Sequence, residues 1–248
     1  MTDKHINIFL NDLFPLNRSL TGRDNVKTIQ YLIKKILPKG EIKSISSGKK
    51  IFDWIVPPEW NANEAYVKNK FGEKVIDFKK NNLHLVSYST AFNGTISKKE
   101  LLEHIHTLPE KPNSIPYRTS YYNKDWGFCC SESLIRSDKF QGPFEVNIDT
   151  SFNENGKLFW MEYVKSGSSD KEILISSYLC HPSLANDNLS GIILSCLLMK
   201  ELTKIDTFYT YRLIIVPETI GSISFLSQAN TKKIIGGMIV TCVGGNDK

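Results

Sequence analysis

Several features are missing from this sequence, and each absence argues against a class of protein. No stretch of its 248 residues is long and apolar enough to predict a transmembrane helix. The net charge of +5 comes from scattered lysines and arginines, which is typical of a solvated surface and argues against a nucleic-acid-binding patch. There is no phosphate-binding loop, no Gly-x-Gly-x-x-Gly pattern and no Gly-x-Ser-x-Gly motif. Nucleotide-binding enzymes and hydrolases with a serine nucleophile are therefore disfavoured.

Cysteine is scarce and unpaired. The chain has five cysteines and no Cys-x-x-Cys pair; Cys129 and Cys130 are adjacent, and the other three lie in apolar runs. This pattern predicts buried thiols in a reducing compartment and no disulfide framework. The first residues lead into an amphipathic segment that lacks a signal-peptide core. We therefore expect a cytoplasmic protein with no membrane partner.

The composition, 41% hydrophobic and 23% charged, is that of a globular protein. Apolar residues at helical spacing predict helices over 6–14 and 26–37, each ended by a proline. Short β-like runs between 48 and 116 are too closely spaced for strand–helix–strand units, so this segment predicts a small β-rich domain. Within it we predict a strand over 82–89 and a helix that is capped by Ser97 and reaches Leu108.

The second half of the chain alternates strands and helices. Strands are predicted at 172–178, 211–216 and 237–243, with helices at 188–204 and 222–231 between them. This alternation produces a parallel sheet that is covered by helices. Three earlier strands, at 127–130, 144–148 and 158–164, are predicted to add an antiparallel edge to that sheet.

The predicted fold class is α/β. A mixed, largely parallel sheet with helices on both faces is expected in a main domain formed by residues 1–47 and 117–248. The β-rich segment 48–116 is expected to be inserted into it.

Polar side chains follow two of the predicted parallel strands. His181 ends the first strand, Asp187 lies farther along the same loop, and Glu218 ends the second. Open α/β sheets bind ligands at this edge, and two carboxylates with one imidazole suit Zn²⁺. The site predicts a hydrolase in which a metal-bound water, acidified toward neutrality, attacks the substrate and a carboxylate takes its proton. Gly191 and Gly221 follow the two loops, where close backbone approach is expected.

Each of these residues also has a structural alternative. His181 could cap a turn, and Asp187 could be the N-cap of a helix that begins at Asn188. Glu218 could form an ion pair with Arg212 or Lys232. These alternatives stay open from the residues alone.

The remaining histidines and Cys180 give weaker signals. His104 and His106 are two residues apart on a predicted helix, so they diverge, and we interpret them as solvated surface residues. His84 alternates with leucines on a predicted strand and is a candidate substrate-binding residue. A Cys180–His181 nucleophilic pair is disfavoured because neighbouring residues on a strand point to opposite faces.

Two segments carry a resemblance to a known family: Ile175 to Gly191, with Asp-Asn-Leu-Ser-Gly, and Val216 to Ser222, with Pro-Glu-Thr-Ile-Gly-Ser. They resemble bacterial aminopeptidase-like proteins of unassigned function, which are often associated with polysaccharide biosynthesis genes. That family is similar in fold to the co-catalytic zinc aminopeptidases. The resemblance covers almost the whole chain, and the supporting stretches are 13–22, 52–54, 76–84, 108–112 and 119–122.

The resemblance implies roles for individual residues. His181 matches the first metal histidine, and Asp187 matches the aspartate that bridges two metals. Glu218 stands where those enzymes have two adjacent glutamates, one the general base and one a ligand, but the preceding residue here is Pro217. Ser183 stands where the aspartate that orients the histidine would be. The resemblance thus implies one or two zinc ions, with Glu218 as base or third ligand.

The resemblance also implies a continuation beyond this chain. In proteins of this type, a further carboxylate ligand, a histidine ligand and a winged-helix domain follow the strand at 239–243. Here Asp247 is the acidic residue near that position, and no histidine follows Glu218. We therefore expect a C-terminally truncated form of the family.

The predicted function is a zinc-dependent aminopeptidase-like hydrolase that cleaves an amide or peptide bond of a small substrate. Two alternatives stay open. One is a catalytically inactive remnant or binding module on the same fold. The other is a metal-dependent acyl or aminoacyl transferase or cyclase that acts in surface-polysaccharide biosynthesis, because a fold does not fix a function. A nucleic-acid partner is not expected in this portion, and a homo-oligomer stays open.

Overall fold

The computed structural model of the chain describes residues 3–121 and 123–245. Its contacts group the chain into two compact units, one formed by residues 1–59 with 153–248 and the other by residues 60–152. The predicted insert, 48–116, lies largely within the second unit. Since this grouping does not test which segments fold independently, the domain bounds predicted at 47 and 116 stay predictions.

Strands and helices are numbered along the chain. The helices are α1 (Asp3–Leu13), α2 (Arg23–Lys35), α3 (Lys98–Glu103), α4 (Glu132–Ile135), α5 (Gly191–Leu202) and α6 (Ile220–Leu226). The strands are β1 (Glu41–Ser46), β2 (Lys50–Ile51), β3 (Trp54–Ile55), β4 (Glu59–Lys68), β5 (Lys74–Asp77), β6 (Phe92–Ile96), β7 (Ile105–His106), β8 (Phe128–Cys129), β9 (Phe144–Asn153), β10 (Lys157–Lys165), β11 (Glu172–Tyr178), β12 (Thr210–Val216) and β13 (Ile234–Ile239). None of the helices described in 3–121 and 123–245 has the length and apolarity that crossing a bilayer requires.

A mixed five-stranded sheet forms the centre of the first unit. Its strand order is β1-β10-β12-β11-β13. Strand β11 runs parallel to both β12 and β13, whereas β10 pairs antiparallel with β1 and β12. The α/β class with a mixed sheet, predicted from the sequence, is confirmed. The parallel strands carry the loops of the candidate site at their carboxyl ends.

Helices cover both faces of this sheet. On one face, strand residues such as Met161 and Leu213 share a buried apolar cluster with residues of α1, α2 and α5. Successive strand residues point to opposite faces, so Glu162 lies on the other face. There it lines a cavity of about 420 Å³ together with Arg212 and Phe225 of α6. The predicted arrangement of helices on both faces is therefore observed.

Two of the three strands predicted as an antiparallel edge of the main sheet belong elsewhere. Strand β9 lies in a four-stranded sheet of the second unit, with the order β5-β4-β9-β6, and β8 pairs with β7. Only the strand predicted at 158–164, which is β10, joins the main sheet. The prediction was wrong for the other two because local alternation identifies a strand and not its partner. One of the two neighbours of β9 in this sheet, strand β6, comes from about fifty residues earlier in the chain.

The prediction of a strand over 82–89 is also wrong. Residues Asn82–His84 form a 3₁₀ turn, in which the Asn81 side chain accepts a hydrogen bond from the Leu83 amide. Such a local bond competes with strand pairing. The helix capped by Ser97 has the predicted capping box, but it ends at Glu103 and not at Leu108.

Elements around the site are shifted from their predicted bounds. The helix predicted over 188–204 is preceded by an irregular turn over Ala185–Ser190, in which Asp187 and Asn188 have non-helical φ and ψ angles, so α5 begins only at Gly191. The helix predicted at 222–231 is α6, which is shorter, and the strand predicted at 237–243 is β13, which lies earlier. The strands predicted at 172–178 and 211–216 agree with β11 and β12.

Candidate metal site

The carboxyl ends of β11 and β12 bring the three predicted ligands together. These strands are parallel neighbours in which Tyr178 pairs with Val216, so the loops after them leave the same edge of the sheet. His181 Nε2 lies 3.5 Å from Glu218 Oε2, and His181 Nδ1 lies 4.0 Å from Asp187 Oδ1. The histidine side chain is 13% exposed, whereas the two carboxylates are 41% and 50% exposed. Their roles as ligands stay a prediction.

Three of the seven described non-glycine residues with a positive φ angle lie in these two loops. His181, Ser183 and Thr219 adopt positive φ angles of 80°, 52° and 59°. At Thr219 the ψ angle is −67°, and the amide of Ile220 donates to the carbonyl of Glu218 at 2.6 Å. This is the rarer, strained form of the γ-turn. Non-glycine residues in this region cost on the order of 1–3 kcal/mol each and cluster at functional sites.

Asp187 is held by a tyrosine and does not cap a helix. The Tyr178 hydroxyl donates to Asp187 Oδ1 at 2.5 Å and accepts a hydrogen bond from Thr241 Oγ1 at 2.7 Å. Desolvation and the Asp187 carboxylate both raise the pKa of Tyr178. No side chain caps α5 or the irregular turn Ala185–Ser190 before it, so the N-cap alternative for Asp187 is wrong.

The ion-pair alternative for Glu218 also fails. Arg212 pairs with Glu172 at 2.7 Å and with Glu162 at 2.8 Å, on the face of the sheet that lines the cavity beside α6. Within the part of the chain that the structure describes, the salt bridge of Glu218 is to His181 and involves neither Arg212 nor Lys232. The carboxylate therefore faces the candidate site.

Asn188 and Gly191 lock the loop onto the sheet. The buried Asn188 amide donates to Ser177 Oγ at 2.9 Å and to the Tyr178 carbonyl at 3.0 Å, and its oxygen accepts from the Cys242 amide at 3.1 Å. The peptide bond between Asp187 and Asn188 is cis. A Cβ atom at Gly191 would lie 2.4 Å from Asn188 Oδ1, so the close approach predicted at this glycine is confirmed.

Gly221 has the same requirement in the other loop. A Cβ atom there would lie 2.6 Å from Pro217 Cδ and 2.7 Å from Val216 Cβ. Helix α6 can therefore turn back directly after Glu218 only with glycine at this position.

Arg18 is a site residue that the sequence analysis missed. It is fully buried, and its Nη2 donates to the carbonyl of His181 at 3.1 Å. Its Nη1 donates to the carbonyls of Leu13 and Leu16. Burial lowers the pKa of the Arg18 guanidinium to about 10. The sequence did contain a signal for this role: Arg18 is a cationic residue between two amphipathic helices that were predicted to cover the sheet.

Cys180 also belongs to the site, contrary to the prediction that it diverges from His181. Strand β11 ends at Tyr178, and the positive φ of His181 turns its ring back, so Cys180 Sγ lies 3.6 Å from His181 Nδ1. The Glu218 amide donates to the same sulfur at 3.2 Å. Burial raises the pKa of the Cys180 thiol to about 12. Because the free thiol is protonated, nucleophilic catalysis by this pair stays disfavoured.

The described cysteines are free. Four are buried as predicted, but Cys242 is exposed, which corrects the expectation of five buried thiols. It lies shortly after the edge strand β13.

His84, His104 and His106 lie in the second unit. His84 Nδ1 is 2.7 Å from the carbonyl of Cys129, and its role in substrate binding stays a prediction. His104 stacks on Trp126 at 3.7 Å between ring centroids, and His106 lies on β7. The helix predicted for both was therefore wrong, and only His106 is exposed. Asp247, the acidic residue noted after β13, lies outside the described residues.

The donor set fits a zinc ion. Zinc takes imidazole nitrogen, carboxylate oxygen and thiolate sulfur as ligands. One potential ligand atom from each of Cys180, His181 and Glu218 lies within 4.8 Å of the others, and Asp187 is 4.0 Å from the imidazole. The exposed carboxylates leave one side of this cluster open to solvent.

Comparison with known proteins assigns the chain to a family. Residues 7–248 match the model of a domain of unknown function, DUF4910. A Clostridium acetobutylicum protein, provisionally named a polysaccharide biosynthesis protein with an aminopeptidase-like domain, is 46% identical over 237 residues, which are 95% of this chain and 54% of that protein. The chain therefore spans about half the length of this relative.

Solved structures give the fold. A crystal structure from Clostridium acetobutylicum, provisionally described as a peptidase, has a TM-score of 0.93 at 44% identity and covers 98% of this chain and 57% of that one. The zinc aminopeptidase BSAP from Bacillus subtilis has a TM-score of 0.59 at 11% identity, with 97% and 69% of the chains covered. The fold is thus aminopeptidase-like, and the protein belongs to the DUF4910 family, as the match over residues 7–248 shows.

Proposed function

We propose that this chain supplies part of the site of a zinc-dependent aminopeptidase-like hydrolase, which cleaves an amide or peptide bond. The observation that carries the proposal is the position of His181 between two carboxylates, 3.5 Å from Glu218 and 4.0 Å from Asp187, at the carboxyl edge of parallel strands. The two surrounding loops also hold strained residues, which is typical of functional sites. The aminopeptidase-like fold agrees with this chemistry but does not by itself fix it.

Each residue has a role in the proposal. His181 and Asp187 bind the ion, and Tyr178 orients the Asp187 carboxylate through its hydrogen bond. When bound, zinc polarises a carbonyl and lowers the pKa of water toward neutrality. Glu218 takes the proton of the attacking water, or it binds the ion as a third ligand; its half-exposed carboxylate is open to substrate. The buried guanidinium of Arg18 holds the backbone carbonyl of His181 in place through a hydrogen bond.

The substrate class is a small peptide or an amide. The free thiols agree with a reducing, cytoplasmic location, which is part of the proposal. A second candidate is suggested by the name of the relative, which refers to polysaccharide biosynthesis. In that case the same site would transfer or cyclise an acyl group on an amino sugar. The inactive-remnant alternative predicts no turnover of either substrate class.

The test is a comparison of substrates and variants. Zinc-loaded protein is assayed against aminoacyl-nitroanilides and against amino-sugar amides, alongside Glu218→Gln. We expect hydrolysis that a chelator abolishes and that Glu218→Gln reduces by about 100-fold or more, since general acid–base catalysis typically contributes about 10²- to 10⁴-fold. The matched control is Glu201→Gln, a glutamate of similar exposure on α5 that pairs only with Lys204 among the described residues, and it should retain activity. No turnover of either class would contradict the proposal.

A further inference from the structure

The buried thiol of Cys180 lies against the candidate metal site. Its sulfur is 3.6 Å from His181 Nδ1, and it accepts the Glu218 amide at 3.2 Å. Cys196, another buried cysteine of this unit, differs: burial alone raises the pKa of its thiol. Of these two buried cysteines, Cys180 is therefore the one whose sulfur contacts the imidazole of His181 and the loop that carries Glu218.

We propose that Cys180 is a zinc ligand and that the ion binds on the Nδ1 side of His181, between Cys180 and Asp187. This inference rests on the proposed function, because it concerns the same ion. It changes the donor set from two carboxylates and a histidine to one thiolate, one imidazole and one carboxylate. Glu218 then acts as the proton acceptor and not as a ligand.

The distances agree with this assignment. Zn–S bonds of about 2.3 Å and Zn–N bonds of about 2.0–2.1 Å separate the sulfur and nitrogen of a tetrahedral site by about 3.5 Å. The observed separation of Cys180 Sγ and His181 Nδ1 is 3.6 Å. Asp187 Oδ1 lies on the same side of the ring, 4.0 Å from Nδ1. Two further donors, a sulfur and a carboxylate oxygen, therefore lie within 4.0 Å of Nδ1.

The other ring nitrogen has a different neighbour. Glu218 Oε2 is 3.5 Å from His181 Nε2. A carboxylate on the second nitrogen of a metal-binding histidine fixes the tautomer and the orientation of the ring. One ion cannot use both nitrogens of one imidazole, so an ion on Nδ1 leaves Glu218 free. Metal binding by the thiol breaks its S–H bond, and the proton leaves to solvent as the metal–sulfur bond forms.

Cobalt(II) provides a readout that does not depend on activity. A tetrahedral cobalt site gives visible d–d bands, and a thiolate ligand adds a sulfur-to-cobalt charge-transfer band in the near ultraviolet. Cobalt is added to metal-free Cys242→Ala protein, which removes the exposed thiol near the site. We expect both sets of bands in this protein, loss of the charge-transfer band alone in Cys180→Ser, and no change in the control Cys196→Ala.

The outcomes separate the two proposals. Visible bands without charge transfer in the Cys242→Ala protein would overturn the Cys180 assignment and leave the metal site intact. No cobalt bands at all would overturn both proposals. If Cys180→Ser does not fold, X-ray absorption of the zinc-loaded Cys242→Ala protein decides: a sulfur shell at about 2.3 Å supports the assignment, and only nitrogen and oxygen shells contradict it.

Discussion

The Tyr178 hydroxyl donates a 2.5 Å hydrogen bond to Asp187 Oδ1 across the loop that follows β11. Thr241, from the segment after β13, donates to the same hydroxyl at 2.7 Å. The carboxylate is thus oriented by a chain of two side chains, and neither of them is itself a proposed ligand. Partners of this kind fix the orientation of metal ligands.

We therefore predict that Tyr178→Phe weakens zinc binding. The expected loss of affinity is about 10- to 100-fold, the range typical for removal of such a partner. Calorimetric titration with zinc measures it. The control is Tyr31→Phe, because Tyr31 also donates to an aspartate, Asp12, at 2.5 Å, but on helices α1 and α2. Equal affinities in the two variants would contradict the role of Tyr178.

Gly191 offers a test of how tightly the loop is packed. An added Cβ would meet Asn188 Oδ1 and the Val240 carbonyl, both at 2.4 Å. We expect Gly191→Ala to lower the free energy of unfolding by about 1–3 kcal/mol through overpacking, and also to weaken zinc binding, because Asn188 must move. Urea unfolding and zinc titration measure the two effects.

The matched control is Gly236→Ala on β13 of the same unit. Its nearest neighbour would be Ile173 Cδ1 at 3.9 Å, an ordinary contact. The variant should leave both stability and zinc affinity close to those of the parent protein. If both alanine variants behave alike, the loop is not packed as described.

We predict that His84, in the second unit, makes the free energy of unfolding depend on pH. Burial lowers the pKa of His84 below its ordinary 6.5, and the hydrogen bond to Cys129 and the charge of Asp77 only partly oppose this. Between the two pKa values the unfolded chain binds more protons than the folded chain, so the free energy of unfolding falls as the pH drops below about 6.5. Above that pH the imidazole is neutral in both the folded and the unfolded chain, so His84 no longer destabilises the folded state.

Replacing the imidazole removes this contribution. We expect His84→Gln to show a smaller loss of stability than the parent protein between about pH 7 and pH 5, measured by urea unfolding. Partial desolvation of the His106 ring, together with the charge of Arg118, also lowers the pKa of His106, so some dependence of the same sign remains in the variant. Identical pH slopes for parent and variant would contradict the account.

We predict that the protein self-associates through the edge strand β13. Its outer side has no partner among the described strands, and Ile239 is 75% exposed on it. An exposed apolar edge favours pairing with another chain. We expect Ile239→Lys to reduce concentration-dependent association in analytical ultracentrifugation, whereas Val164→Lys, at an exposed position on the inner strand β10, should not. Association that is equal in both variants would count against the edge.

The sequence predicted the parts of the site that depend on chain order. His181 and Glu218 follow adjacent parallel strands, and periodicity and the alternation of elements locate both strands. Tyr178 and Thr241 could not be found in this way, because their bond joins segments sixty-three residues apart. Cys180 was misjudged because the rule of alternating side chains holds only within a strand, and β11 ends two residues earlier.

The same limit explains the errors in the fold. Where a strand was predicted, the chain forms a local turn, because the Asn81 side chain accepts a hydrogen bond from the Leu83 amide. Strand β9 has a regular alternation, but its partner is chosen by packing over a long sequence distance. Local patterns therefore identify the elements and the edge of the sheet that carries the candidate site, whereas tertiary contacts decide which side chains surround it.

The central claim, that His181 and its neighbours form a zinc site, is tested most directly by zinc titration of the metal-free protein in a calorimeter. We predict tight binding of at least one zinc ion per chain, which His181→Ala abolishes. The control His104→Ala, a histidine of the second unit that stacks on Trp126, should retain binding. Absence of zinc binding by the parent protein, or unchanged binding by His181→Ala, would contradict the account.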